Sequence, residues 1–335
     1  MGEEIVLSGM RSSGKLHLGN YLGAAVNFVK MQHDYQCFYF IADWHSLTTK
    51  HNKVELQESV KDVLANYIGV GIDPEIATIY LQSDVPEIAE LYLYLNMFAH
   101  KGELEKTASF KEKIRAKGVA INAGLLTYPS LMAADILIHR AKYVPVGKDQ
   151  EQHLEMTRTF ANRFNRIYDT DFLPEPKAFN FGADLVKIPG LDGGGKMSKS
   201  DNNQNNAIFL TDDEATILKK FKKAKTSDSP TEKDQVIPVE INNLFSIMEH
   251  VSKPETVQQF KDSYKDCSIR YGDLKMQLAR DTNEFLKPIR ERITDLRTNE
   301  KLLKEVAELG KEKARKSAKE TLDGVREIMG FQYFK

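Results

Sequence analysis

Two patterns of apolar and polar residues divide the chain. In the first part, short apolar runs alternate with longer stretches whose apolar residues recur at helical spacing. Ile5-Val6-Leu7-Ser8 predicts a strand that ends in a glycine-containing turn. Leu22, Val26 and Val29 predict a helix over 20–33, and Cys37-Phe38-Tyr39-Phe40-Ile41 predicts a strand over 37–42. An amphipathic helix over 54–70 is stopped by Gly71-Ile72-Asp73-Pro74, and Ile76-Ala77-Thr78-Ile79-Tyr80-Leu81 is the next strand. Asp84-Val85-Pro86-Glu87 carries a capping residue, a proline and a glutamate three positions on, the signature of a helix start. Strands alternating with helices imply a parallel sheet with crossover helices, and such sheets bind ligands at the carboxyl ends of their strands. The character changes at the polar run Asp201-Asn202-Asn203-Gln204-Asn205-Asn206. Beyond it, nearly everything reads as helix, including long charged segments at 273–297 and 299–329. Thr211-Asp212-Asp213-Glu214 and Ser252-Lys253-Pro254-Glu255 fit the capping-box pattern. We divide the chain into domains at 1–202 and 203–335, with no internal repeat or heptad array.

Composition narrows the class. A chain of 335 residues, 41% hydrophobic and 28% charged, is long enough for roughly two domains with a sizeable core. No apolar run approaches the ~18 residues of a membrane span. The acidic start Met1-Gly2-Glu3-Glu4 predicts no secretory signal, and Val6 breaks the myristoylation pattern. The two cysteines, Cys37 and Cys267, have no His/Cys cluster around them, so neither a metal site nor a disulfide is expected. A net charge of −1 leaves nucleic-acid binding to local basic runs. Lys219, Lys220, Lys222, Lys223 and Lys225 form one such run, and Lys311, Lys313, Arg315 and Lys316 another. Each reads either as a nucleic-acid face or as an ordinary solvated helix face.

Two segments carry candidate chemistry. In Ser8-Gly9-Met10-Arg11-Ser12-Ser13-Gly14-Lys15-Leu16-His17-Leu18-Gly19-Asn20 a strand ends, a turn follows and a helix begins near Asn20. The free N–H groups of a helix start suit a phosphate, His17 adds a donor, and Gly19 admits a flat ring close to the backbone. An ordinary strand–turn–helix connection has the same pattern. The second segment is Gly193-Gly194-Gly195-Lys196-Met197-Ser198-Lys199-Ser200, where paired lysines and hydroxyls after a glycine run suit a polyphosphate. Gly190, four residues, then Gly195-Lys196 approaches a P-loop, but Met197 replaces the hydroxyl residue that would bind Mg²⁺.

Together these motifs resemble the class I aminoacyl-tRNA synthetases, which carry His-Ile-Gly-His early in the catalytic domain and Lys-Met-Ser-Lys-Ser at its end. Here the first motif reads His17-Leu18-Gly19-Asn20, and the second matches at every position. Gly124-Leu125-Leu126-Thr127-Tyr128-Pro129-Ser130-Leu131-Met132-Ala133-Ala134-Asp135-Ile136-Leu137 and Val144-Pro145-Val146-Gly147-Lys148-Asp149-Gln150 resemble the tryptophanyl family of bacterial type. So do Ala42-Asp43-Trp44-His45 and Ser83-Asp84-Val85-Pro86-Glu87. Arg11 stands where the family often has Gln. The four-cysteine set of the relatives that carry an iron–sulfur cluster is absent.

The resemblance implies an α/β fold, a Rossmann-like parallel-sheet nucleotide-binding domain followed by an all-α C-terminal domain that binds the anticodon. It implies activation of tryptophan by ATP, with Mg²⁺, and transfer to tRNA(Trp) by a cytoplasmic homodimer with contacts near 84–103. The implied catalytic residues are His17, Asn20, Lys196 and Lys199. ATP contacts fall to Arg11, Ser12, Ser13, Gly19, Asn20, Lys113, Gly147, Lys148, Asp149 and Ile188, with Lys196, Met197, Ser198, Lys199 and Ser200 on the pyrophosphate. Tryptophan contacts fall to Leu7, Gly9, His45, Tyr128, Met132, Asp135 and Gln150. Asp135 lies in the otherwise apolar Leu131-Met132-Ala133-Ala134-Asp135-Ile136-Leu137-Ile138 and must be paired if buried. It is either satisfied inside the protein, by Arg140 or a backbone N–H, or accepts the indole N–H of tryptophan. A tyrosyl-tRNA synthetase-like enzyme, a P-loop phosphotransferase and a non-catalytic tRNA-binding paralogue are the alternative readings.

Overall fold

The run Cys37–Ala42 has no polar face because it is buried on both sides, as a central strand of a parallel sheet must be. The computed structural model describes residues 4–12, 15–48, 52–107, 110, 111, 114, 122–147, 150–179, 181, 186–198, 203–331 and 333. Ser13, Lys113, Lys148, Asp149, Lys199 and Ser200 lie outside the described residues. Strands β1 (Ile5–Arg11), β2 (Gln36–Ala42), β3 (Thr78–Leu81), β4 (Tyr143–Val144) and β5 (Lys177–Ala178) form a sheet in the order β3-β2-β1-β4-β5. Every pairing is parallel. The chain leaves β1 toward β2 on one side and later returns to its other side with β4. The point of reversal therefore lies at the carboxyl ends of β1 and β4, where such sheets open a crevice.

Helix α1 (Leu18–Asn20) runs through a π-helical turn (Tyr21–Ala25) into α2 (Val26–Met31). After β2 come α3 (Asp43–Ser46) and α4 (Lys53–Gly69), and after β3 comes α5 (Glu87–Phe98). Helices α6 (Tyr128–Ile138) and α7 (Glu151–Tyr168) flank β4 in sequence. Beyond β5 the helices are α8 (Glu214–Lys223), α9 (Val239–Val251), α10 (Pro254–Lys265), α11 (Tyr271–Thr298) and α12 (Glu300–Ile328). Alternate strand residues face opposite sides of the sheet. Val6, Cys37, Tyr39, Ile41 and Ile79 enter one core with α2, α4 and α11. Leu7, Phe38, Phe40, Ala42 and Tyr80 enter another with α5, α6, α7 and α12. Helix α12 supplies Leu303 and Val306 to the first core and Ala314, Ala318, Leu322 and Val325 to the second. Between them, Gly310 crosses the edge strand so closely that a Cβ would stand 1.6 Å from the Ile79 carbonyl oxygen. Edge strand β3 is thereby covered by a helix. Among the described residues, no helix is long and apolar enough to cross a membrane.

Four expected helix starts differ in the structure. The helix expected near Asn20 begins at Leu18, because His17 caps it. The cap of α8 is Asp213, accepting from the Thr216 N–H at 2.7 Å, not Thr211. Neither α5 nor α10 has a side-chain cap among the described residues; Pro86 stands at the cap of α5 and Pro254 begins α10, each with fixed φ and no N–H to satisfy.

Candidate active site

At the carboxyl ends of β1 and β4 the sheet opens into a cavity of about 320 Å³, a size that holds a small ligand. Leu7, Gly9, His45, Tyr128, Met132, Asp135 and Gln150, all expected to meet tryptophan, line it. They come from β1, α3, α6 and the turn before α7. Arg11 and Gly147 line it too. Gly9 leaves room for the Phe40 ring, which stands 2.3 Å from where a Cβ would sit.

Asp135 is fully buried. One carboxylate oxygen accepts from His45 Nε2 at 2.7 Å and the other from Gln82 Nε2 at 2.7 Å. Arg140 is not its partner; that guanidinium lies over the Phe172 ring, 5.0 Å from the centroid. Burial raises the Asp135 pKa, and the His45 and Gln82 hydrogen bonds oppose the rise. A carboxylate has about four lone-pair positions, so two partners leave acceptor capacity on the cavity side. Because the carboxylate only accepts, His45 donates from Nε2, and its buried Nδ1 has no partner among the described residues. The Tyr128 ring stands edge-on over His45 at 4.5 Å. The base of this arrangement ties together two segments singled out in the sequence. Asp43 accepts from the backbone of Trp44 at 3.0 Å and of Ser83 at 3.1 Å, and from the Ser83 hydroxyl.

The first motif is a self-capped helix start. His17 Nδ1 accepts from the Asn20 N–H at 3.1 Å, and Asn20 Oδ1 accepts from the His17 N–H at 3.3 Å. The flat ring that approaches Gly19 is the His17 imidazole itself, 3.1 Å from where a Cβ would sit. Ser12 is wholly buried and donates to Ser46 Oγ at 2.7 Å. The Arg11 guanidinium donates to the His45 carbonyl at 2.9 Å and to Thr48 Oγ1 at 3.0 Å, while its buried Nε has no partner among the described residues.

The second motif meets the first. Met197 is buried with its Cβ 3.4 Å from the position a Gly19 Cβ would take. Its N–H donates to the carbonyl of Ile188, itself buried in the core. Lys196 is exposed and Ser198 half-buried. Pro189 bridges to Lys196, and the Gly190 N–H donates to the Gly195 carbonyl at 2.9 Å. The glycine run is therefore a hairpin, not a loop opening a helix, and the P-loop reading fails on geometry. The following segment returns to the first motif: the Leu18 N–H donates to Ile208 at 2.8 Å and the Leu210 N–H to Leu16 at 2.9 Å.

Gln82 escaped the sequence reading. Its signal was a polar residue directly after the apolar run of β3, at the strand end where ligands bind. The basic runs also divide. Lys220 is buried, donating to the Ala207 carbonyl at 2.8 Å and to Asp212 at 2.6 Å. Lys313 and Arg315 bond Pro74 and Glu87 within the protein. Among the described residues, no group of three or more His, Cys, Asp or Glu side chains is gathered to hold a metal ion.

The profile of the tRNA synthetases class I (W and Y) family matches residues 2–287. The tryptophan–tRNA ligase of Porphyromonas gingivalis is 57% identical over 329 residues, which is 98% of this chain and 100% of that protein. The structure of tryptophanyl-tRNA synthetase from Campylobacter jejuni complexed with ADP and tryptophan is similar with a TM-score of 0.88 at 35% identity, covering 97% of this chain and 99% of that one. That of tryptophanyl-tRNA synthetase from Mycoplasma pneumoniae has a TM-score of 0.79 at 31% identity, covering 98% and 97%.

Proposed function

Because this chain belongs to the class I tRNA synthetases of the W and Y family, we propose that it is a tryptophan–tRNA ligase. It activates L-tryptophan with ATP to the aminoacyl-adenylate and transfers the acyl group to the 3′ end of tRNA(Trp). The observation that carries this is Asp135, a buried carboxylate held by two donors beneath a cavity of amino-acid size. The indole N–H is a donor without an acceptor, and a buried acceptor is its natural complement. Met132 and Tyr128 pack on the ring, and Gln150 with the Arg11 side of the cavity meets the amino and carboxylate end.

ATP lies across the ends of β1 and α1. His17 and Asn20 hold the helix start in shape, Gly19 and Gly147 allow close approach, and Ser12 and Ile188 support the turn from the core. Ser13, Lys113, Lys148 and Asp149 contact the nucleotide. Lys196, Ser198, Lys199 and Ser200 grip the pyrophosphate, and Met197 anchors that loop beneath Gly19. The tryptophan carboxylate attacks the α-phosphate, so the protein supplies alignment and charge stabilisation instead of a covalent nucleophile. Mg²⁺ accompanies ATP, held by phosphate oxygens and water. The helical part, 203–335, receives the anticodon. A cytoplasmic homodimer fits the apolar stripe Ala89, Leu93 and Met97 on the exposed side of α5.

ATP–pyrophosphate exchange with each of the twenty amino acids tests the reading. Stimulation by tryptophan alone is expected. Stimulation by tyrosine without tryptophan overturns it.

A further inference from the structure

Gln82 is fully buried and does not line the cavity, so it touches no ligand there. It nonetheless holds both halves of the recognition pair. Its Nε2 donates to Asp135 at 2.7 Å, and its Oε1 accepts from the His45 N–H at 3.4 Å. The amide orientation follows from the partners: a carboxylate accepts only and a backbone N–H donates only. A neutral amide satisfies the buried oxygen without cancelling its charge. Lys or Arg in its place would neutralise Asp135 and weaken its pull on a donor in the cavity.

We propose that Gln82 is the positioning residue for tryptophan selectivity: it keeps Asp135 an acceptor and fixes the face that the carboxylate turns to the indole N–H. This rests on the reading that Asp135 receives that N–H. The charged and titratable groups around the carboxylate are His45 and Asp43 on α3, Tyr80 on β3, Arg11 on β1, Tyr128 and His139 at the ends of α6, and His153 on α7 behind Tyr128. Tyr80 and His139 are bonded to each other at 2.9 Å. The Arg11 guanidinium donates to the His45 carbonyl and Thr48. His45 is thus the only other donor to Asp135 among the described residues. Without the Gln82 amide, one buried oxygen has no donor. Burial already favours the neutral acid, and protonation then becomes the way to satisfy the site. A protonated Asp135 is turned from acceptor toward donor as pH falls.

The experiment is ATP–pyrophosphate exchange across about pH 6 to about pH 9. It uses the wild-type enzyme, Gln82→Met, Gln82→Glu and Asp135→Ala, with L-tryptophan and with the benzothiophene analogue that lacks the ring N–H. In Gln82→Met, KM for tryptophan rises at least about tenfold, as for loss of a hydrogen bond to a charged group. The rise grows as pH falls, KM for ATP is unchanged, and preference over the analogue shrinks. Gln82→Glu responds with the opposite sign. At low pH its protonated carboxyl replaces the amide donor and KM stays near wild type; at high pH two carboxylates face each other and KM climbs. A pH-independent KM in Gln82→Met, or the same sign of response in both variants, overturns the proposal. If Gln82→Met does not fold, the sign in Gln82→Glu alone decides. Wild-type enzyme that fails to prefer tryptophan over the analogue, or Asp135→Ala that keeps the preference, instead removes the underlying reading of Asp135.

Discussion

A buried carboxylate is stable only with its lone pairs engaged, and at Asp135 that requirement and substrate recognition coincide. His45 and Gln82 occupy one position on each oxygen, so the carboxylate stays organised before any ligand arrives. Asp135→Ala removes the acceptor and strands two buried donors, each costing about 1–3 kcal/mol. We expect a lowered melting temperature and a loss of roughly 10⁴-fold in kcat/KM for tryptophan, the discrimination typical of a site built around one hydrogen bond. A variant with wild-type exchange kinetics would remove Asp135 from the specificity argument. Asp135 was noticeable from sequence because a lone acid in an apolar helix is anomalous. Its pairing was not: Gln82 and His45 reach it from β3's end and from α3, and Arg140, its near neighbour in sequence, turns to Phe172.

Among elements, α12 is the most constrained by a single atom. Gly310 lets it lie against the backbone of β3, with no room for a Cβ beside the Ile79 carbonyl. Gly310→Ala forces helix and strand apart, and we expect it to destabilise by roughly 1–3 kcal/mol, as overpacking does. Urea denaturation measures this; an unshifted midpoint would mean that the helix does not rest on the strand as described. The legibility of elements follows their local signals. β2 was visible because burial on both faces leaves an unbroken apolar run. α11 and α12 were visible because long amphipathic periodicity accumulates. β4 and β5 were not, since each has two residues and pairs only because neighbouring strands present free edges. The cap of α8 slipped because Thr211, Asp212 and Asp213 are all competent caps, and Asp212 is already bonded by the Phe209 N–H at 2.8 Å and by Lys220.

On the scale of the molecule, the sheet is held to the last helix through a buried histidine. His139 stacks on Phe38 at 4.4 Å, bonds the Tyr80 hydroxyl at 2.9 Å and reaches Ser317 on α12 at 3.1 Å. Burial pushes its pKa down from 6.5 to about 3. The native state therefore keeps it neutral while the unfolded chain protonates below about 6.5. Its contribution is complete above that pH and is lost as pH falls toward about 3. Between about pH 7 and about pH 5 the loss from this group is on the order of 2 kcal/mol. Urea midpoints at the two pH values measure it, and His139→Asn should flatten the difference; an equal slope in that variant would assign the acid sensitivity elsewhere.

By itself the sequence determined the alternation of strand and helix, the class of the fold, the paired signature motifs and the anomalous acid, because each is written in local periodicity or in contiguous residue types. Only the tertiary structure decided that Met197 lies beneath Gly19, that the segment after the second motif pairs with the first, that Gln82 holds Asp135 and that Lys220 is an internal staple. The first three join residues distant along the chain, and the last ties a helix to the segment before it. The Gln82–Asp135 contact forms because the strand order turns back at β1 and separate strand ends meet at one crevice.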